Sequence, residues 1–541
     1  MTRRRAGLVA VVCVGLAYAT LIQATGWNQA SHYALIRAID SNTAHIDPYA
    51  GSTGDRARFN GHWFSARAPG LAFLSQPAYH VLEVTGATSN YRVKIGGRSN
   101  SLMVWALGIW AAAIPALLTM LLVWRVAERL EPGFGLPTAV TLGLGTLLLP
   151  FATMLFSHVL SACLGFAAFA LLVGQRSDLE HSRLWRFALA GVCVGYGITT
   201  EYPLLFVGLI LGVYAITAGD AVRRGAVYAA GVVLGVVPLA LYNLWAFGSI
   251  AHVAYADIPR QQAGFFGIRV PDPSVAIQLL FSSRGLFTLA PVLLMGLVGA
   301  VMLHRRGQRA EAYVVAAIGL VFLAYNSGYF LPYGGRVPGP RFLITTLPFL
   351  AFPVAAAYRR YPGVTVALGA ISIVAYGIAT ITQPLVSAEG DTGMWTNLLF
   401  HAHLQPTVLT IFKLHDEWLA MAPFFVAAVA ALVLTVWAAP ALVMSWRQAA
   451  AGAAATGAWA LFAVLGPHAL GIDRAAERMI VAAGDRTATW AVYGSHPLRD
   501  LALIAVAGAL IALLAMRGVS AWRARSGEPS TTELSPVAQA A

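Results

Sequence analysis

From Leu102 to Trp124 the chain carries no charged side chain, and the same is true from Ser157 to Gln175 and from Gly225 to Phe247. A run of about 20 such residues matches the hydrocarbon thickness of a bilayer. Lipid offers no hydrogen bonds, so a segment crossing it must pair its own backbone, as a helix does. Composition carries the argument over the whole chain: 58% of the 541 residues are hydrophobic and 11% are charged, with a mean hydropathy of +0.68. Soluble domains carry about 25% charged residues, so a soluble enzyme and a disordered chain are both excluded.

The expected architecture is an all-α polytopic membrane protein. It has about 14 spans, in a range of 11 to 14, near 6–22, 100–123, 136–150, 157–174, 187–200, 203–217, 225–246, 286–303, 311–326, 343–357, 363–382, 419–441, 449–465 and 501–516. Short cytoplasmic connections hold Lys and Arg in excess. With Arg3, Arg4 and Arg5 inside, every second connection becomes cytoplasmic, and each carries arginine: Arg125 and Arg129, Arg176 to Arg186, Arg223 and Arg224, Arg305 to Arg309, Arg359 and Arg360, Arg447, and Arg517 to Arg525. Both termini are then expected in the cytoplasm of a bacterial plasma membrane. This topology puts 19 basic and 8 acidic residues inside against 17 and 15 outside. The net charge of +13 thus reflects orientation in the membrane, and a nucleic-acid partner is not expected.

Cys13, Cys163 and Cys193 all fall inside expected spans, which offers neither a disulfide framework nor a metal cluster. The first apolar run follows three arginines like a signal peptide, but lacks a small-residue cleavage site and is read as a retained span. Residues 1–525 are taken as one transmembrane domain, and 526–541, rich in Ser, Glu and Pro, as a disordered cytoplasmic tail. The long connections lie outside, at 23–99, 247–285, 327–342, 383–418 and 466–500. Loops of this length are usually functional, so chemistry is expected on the extracytoplasmic face.

The first outer loop is the most informative. Tyr33, Leu35, Ile36 and Ile39 recur at helical spacing across 29–39, and a second amphipathic stretch, Leu71 to Val84, follows the Pro69-Gly70 turn. Between these two juxtamembrane helices, residues 46–70 gather Asp47, Asp55, Arg56, Arg58, His62 and Arg67. Carboxylates at an apolar boundary can have tuned pKa values and serve as general bases.

Three blocks carry a resemblance. The loop reads TGDRA at 53–57, GHWF at 61–64 and SARAPG at 65–70; FSSRGLFTLAP stands at 281–291 and YGGRVPGPRFL at 333–343. Together they resemble a bacterial branch of the GT-C superfamily of integral-membrane glycosyltransferases. Its loop has the form T-x-D-K-A, then G-H-Y-Y, then S-D-K-A-P-G, with R-G-L-F and G-G-x-x-x-G-P-R blocks before later spans. The resemblance implies a polyprenyl-phosphate-linked sugar as donor, a catalytic carboxylate between the two juxtamembrane helices, and a glycan, lipid or protein acceptor outside the membrane. The chain departs from the pattern at Ala66, where the branch has Asp, and has Arg67 where it has Lys.

On this reading Asp55, or else Asp47, deprotonates the incoming hydroxyl. Phosphate is already a good leaving group, so one base suffices for inversion at the anomeric carbon. Arg67, Arg284 and Arg341 stand at outer helix ends, where a lipid phosphate would lie, and guanidinium grips phosphate bidentately. His62, Tyr333, His158 and Glu201 complete the candidate substrate-binding set. Tyr33 and Trp63 are read as interfacial belt aromatics, and Asp257, Asp391, Asp416 and Glu417 as acceptor contacts without a motif. A divalent cation is left open as an assistant, with no ligand set assigned. The rival reading is a lipid or glycan flippase, or a noncatalytic envelope-assembly protein. Ion-coupled transport is disfavoured because the expected spans hold essentially no charge in their interiors.

Overall fold

The computed structural model describes residues 2–86, 92–95, 98–176, 183–217, 220–261, 264–335, 337–385, 395–414, 416–439, 442, 444–472, 499 and 501–512. The expectations for Asp391 and the tail 526–541 lie outside the described residues, as does most of the loop 466–500. Helix dominates, as the uncharged runs require. Among the described residues six helices are long and apolar enough to cross a membrane: Leu102–Leu130, Ser157–Gln175, Ala221–Phe247, Arg309–Gly328, Pro362–Thr382 and Trp446–Pro467. Two bent pairs, Pro273–Leu289 with Val292–Arg305 and Arg341–Ala351 with Val354–Arg360, raise the number to eight if each is one span.

That is fewer than the expected number, and the physical reason is length. Runs read as spans near 136–150, 203–217 and 419–441 form the helices Gly135–Leu144, Leu204–Ile216 and Ala422–Ala438, of 10 to 17 residues. At about 1.5 Å per residue these fall short of a hydrocarbon core about 30 Å thick. Apolar composition alone does not separate such helices from full crossings.

Helix α1 (Arg3–Thr20) packs against Ala422–Ala438, and the Tyr18 hydroxyl, fully buried, donates to the Gly143 carbonyl at 2.8 Å. Pro362–Thr382 is largely wrapped by neighbouring helices, with 78% of its apolar window buried, whereas Trp446–Pro467 has 17% buried and presents most of its surface outward. Elsewhere in the core rings pack together, Phe166 and Phe169 of Ser157–Arg176 meeting Phe349 and Phe352 at centroid distances of 5.3 to 6.1 Å.

Helix direction sorts the two ends of the bundle. Ile114–Leu130, Val292–Arg305 and Val354–Arg360 all finish at one end. There the buried Glu131 carboxylate pairs with Arg306, and with Arg359 at 3.1 Å. These are connections the arginine pattern assigns to a common face. At the opposite end Leu184–Thr200 finishes while Ser157–Arg176 and the 3-10 turn Arg341–Thr346 begin.

The connection between helix α1 and Leu102–Leu130 folds over that opposite end. Helices α2 (Trp27–Asp40) and α3 (Gly70–Val84) form where the apolar spacing places them. The segment between them corrects the all-α expectation: β1 (Arg56–Phe59) pairs antiparallel with β2 (His62–Ser65) around the two-residue turn Asn60-Gly61. Asn60 at φ 47° and Gly61 at φ 88° both have the positive φ that a hairpin matching the right-handed strand twist needs. A second hairpin joins Arg92–Ile95 to Arg98–Ser101.

Candidate active site

Asp55 directly precedes β1, and its main chain is fixed from three sides. Its N–H donates to Thr53 Oγ1 at 3.0 Å, and that hydroxyl donates in turn to the Trp27 carbonyl at 2.7 Å. Its carbonyl accepts from Ser31 Oγ on α2 at 2.6 Å and from the Ala66 N–H at 3.2 Å. Ser31 also shares a hydrogen bond with Ser65, which accepts from the Arg67 N–H at 3.1 Å. The backbone of the loop is therefore tied to α2 before its side chains do anything.

Those side chains meet across the open end of the hairpin. Arg67 Nη2 stands 2.5 Å from Asp55 Oδ2. The Asn28 carboxamide, with its oxygen turned to the guanidinium, accepts from Nη1 and Nε at 3.1 and 3.2 Å. Burial works against the Arg67 cation, but Asp55, with Tyr255, Glu201 and Tyr329 behind it, more than compensates and raises its pKa. Arg67 is held as a cation in a low-dielectric pocket, which strengthens its pull on any anion entering there.

Behind this pair lies a second charged group. Glu201, just past the helix Leu184–Thr200, receives a hydrogen bond from Ser157 and lies 3.1 Å from His158 Nδ1. Burial would raise its carboxyl, yet the His158 and Ser157 contacts and the nearby Arg67 hold it well below the usual range. His32, fully buried on α2, lies in the field of Arg67, Glu201, His158 and Arg341. Burial and those cations push it down to about 3, so it is neutral near pH 7. Neither His32 ring nitrogen, nor His158 Nε2, has a hydrogen-bond partner among the described residues.

Arg341 enters from the start of its 3-10 turn, lodged against Phe156 and Phe342 at 5.6 and 5.1 Å from the ring centroids. Its backbone N–H donates to the Tyr333 carbonyl at 3.4 Å. Gly334, at φ 76°, lets the chain turn against the Arg341 side chain; a Cβ there would stand 2.5 Å from Nε. Nε itself has no partner among the described residues. An orphaned buried guanidinium N–H calls for an acceptor, and phosphate oxygens supply several.

The structure thus brings Asp55, Arg67, Arg341, His158 and Glu201 together and separates the other candidates from them. Asp47 heads the 3-10 helix Asp47–Ser52, where its carboxylate accepts from the Trp63 N–H and contacts His62 Nδ1, both at 2.6 Å. Slight burial pushes its carboxyl up, but those two bonds and His45 outweigh this and lower its pKa. Asp47 and His62 therefore hold each other at the turn end of the hairpin, not beside Arg67. Arg284 donates to the Gly335 and Val337 carbonyls at 3.0 and 2.9 Å and covers the Tyr333 ring at 4.6 Å. The Tyr333 hydroxyl donates to the Gln278 carbonyl at 2.9 Å and meets Ser282 at 2.6 Å. Both residues shape the loop that carries Arg341, and the buried Tyr333 ring offers no face for a sugar. Asp257 is occupied by His252 at 2.7 Å, and Asp416 caps the short helix Glu417–Ala420.

Sequence reasoning missed Asn28, His32, Tyr255 and Tyr329. One signal was available: Asn28, Gln29, Ser31 and His32 put four polar side chains within five positions on the part of α2 that turns inward, where an interfacial helix would be apolar.

No family model matches the chain, and no curated protein does. Among solved structures it is similar to ArnT from Cupriavidus metallidurans in the apo state, at 15% identity over 94% of this chain and 76% of that one, with a TM-score of 0.46. Against the same protein bound to undecaprenyl phosphate the values are 14%, 96%, 77% and 0.41. Against the apo oligosaccharyltransferase of Archaeoglobus fulgidus they are 11%, 78%, 55% and 0.40.

Proposed function

We propose that this protein is a membrane glycosyltransferase of the GT-C type, moving a monosaccharide from a polyprenyl phosphate carrier to an acceptor hydroxyl on the extracytoplasmic face, with inversion. One observation carries the reading: the Asp55 carboxylate and the Arg67 guanidinium are held together, half-buried, beside the buried Arg341, which has an unsatisfied N–H. Two of the three blocks that resemble GT-C enzymes supply it, the loop block with Asp55 and Arg67 and the block 333–343 with Arg341.

In the resting pocket Asp55 and Arg67 neutralise each other. A donor phosphate is the stronger partner for guanidinium, because it offers more oxygens and more charge. Its arrival draws Arg67 off Asp55 and satisfies Arg341, leaving the carboxylate free to act as base. The acceptor O–H then gives its proton to Asp55 as the oxygen attacks the anomeric carbon. The anomeric C–O bond to phosphate breaks, and the electron pair leaves on the polyprenyl phosphate, whose charge Arg67 and Arg341 hold. His32 and the Glu201–His158 pair supply neutral and anionic acceptors for sugar hydroxyls.

The test is incubation of the purified protein with a panel of radiolabelled polyprenyl-phosphate sugars, comparing wild type with Asp55→Asn and Asp47→Asn. Asp55→Asn should cut turnover by roughly 100-fold to 10,000-fold, the range for a lost general base, while Asp47→Asn, at the far end of the hairpin, costs far less. Undiminished transfer in Asp55→Asn removes the proposed base. Absence of turnover with every donor, alongside donor binding that depends on Arg67, shifts the assignment to lipid transport.

A further inference from the structure

Asp47 and His62 were drawn into the candidate site by their place in the loop, yet they stand apart from Asp55 and Arg67. The hairpin register measures the separation. Asp55 adjoins the Arg56–Ser65 end, and His62 pairs with Phe59 at the turn, three residues along. At about 3.4 Å per residue that is roughly 10 Å of strand. The cluster at the turn therefore needs an account of its own.

Its third member is His45. His45 Nδ1 stands 3.1 Å from Asp47 Oδ2, and His62 Nδ1 stands 2.6 Å from the same oxygen. The two imidazoles stack at 4.6 Å between centroids and 28° between planes, so both Nδ1 edges face one carboxylate. The three potential donor atoms all lie within 4.8 Å of one another. Two neutral imidazoles and a carboxylate form the donor set that zinc-class ions favour, with a tetrahedral radius of about 2.0 to 2.1 Å. Ligand atoms on such a sphere are about 3.3 Å apart, a value that the spacing here brackets. The supports that a metal site needs are also present. Asp47 Oδ1 is held by the Trp63 N–H, which fixes the carboxylate plane. Side-chain exposures of 38%, 33% and 54% for His45, Asp47 and His62 leave an entry path from solvent.

We infer that His45, Asp47 and His62 bind one divalent ion of the zinc class, which pins the 3-10 helix Asp47–Ser52 to the turn end of the hairpin. Three protein ligands leave a fourth position for water. The ion stands off the transfer site and acts on it by bracing both ends of the segment 47–62, in whose middle Asp55 lies. This assignment does not depend on the proposed transfer reaction.

The test uses the full-length protein, purified in detergent, stripped with a chelator and dialysed against zinc chloride, with bound metal measured by elemental analysis. Wild type should retain one zinc per chain. His45→Ala and His62→Ala should each bind at least tenfold more weakly, and the double variant should bind none, whereas a control at the exposed His401→Ala should match wild type. Cobalt(II) in place of zinc should give tetrahedral visible absorption in wild type that each ligand variant loses. The conservative His45→Gln and His62→Gln, the second of which can keep the hydrogen bond to Asp47, separate lost metal from lost folding through their melting temperatures in metal-free buffer. Absence of stoichiometric zinc in wild type, or equal zinc in the double variant, overturns the site and leaves a His62–Asp47 hydrogen bond with His45 stacked beside it.

Discussion

At the scale of single residues the pocket is built from side chains whose partners are missing or shared. Arg67→Ala leaves the Asp55 carboxylate without its cation, and breaking such a pair costs about 3 kcal/mol. Its melting temperature should fall along with transfer, and Arg67→Lys should recover stability better than activity because ammonium cannot grip phosphate in a fork. His32 should behave in the opposite way. Its ring nitrogens lack partners among the described residues, so His32→Leu should raise stability by about 1 kcal/mol while lowering transfer. His32 also sets a pH dependence. Its folded pKa, about 3, lies below the ordinary 6.5, so between those values the unfolded chain binds a proton that the folded chain refuses. Wild-type stability therefore falls as pH drops from 6.5 towards 3, and His32→Leu should flatten that part of the stability-pH curve.

At the scale of elements, the hairpin places Asp55. Its turn depends on Gly61 at φ 88°, where an added Cβ meets nothing within 4 Å, so Gly61→Ala tests backbone conformation alone. The expected cost is about 1 kcal/mol, read as a lower melting temperature and faster hydrogen exchange at the paired amides of β1 and β2. The helices α2 and α3 were legible because an amphipathic stripe has a period that survives without context. The hairpin was legible in principle from Asn60-Gly61 and from the alternation of Arg56, Ala57, Arg58 and Phe59, but His62, Trp63, Phe64 and Ser65 do not alternate, and a polar link read as loop hid it. Arg67 and Asp55 were visible as motif residues. That Asp47 and His62 bind each other, and that Arg284 is used on two carbonyls, were not, since sequence distance says nothing of which acid faces which base.

At the scale of the whole molecule, the Glu131 node and the Asp55 pocket lie at opposite ends of the helices. Orientation is therefore testable by labelling with a membrane-impermeant thiol reagent. His62→Cys should label from outside intact cells and Arg306→Cys only after permeabilisation, with Cys13, Cys163 and Cys193 lying within helices. The reverse result would place the pocket in the cytoplasm. Glu131→Gln removes the negative charge shared by Arg306 and Arg359 and should lower the melting temperature, at a cost of about 1 to 2 kcal/mol, without altering donor specificity.

That the chain is a helical membrane protein, and that two amphipathic helices flank a charged link in its first long connection, could be read from residue order alone, because charge exclusion and helical period are local properties. The lengths of the helices within the apolar runs came from the folded chain. Tertiary structure also decided that Asp55, Arg67, Glu201, His158, His32 and Arg341 share one pocket while Asp47 and His62 form another cluster. Those decisions rest on desolvation and pairing, energies that exist only once distant segments have excluded water from between them.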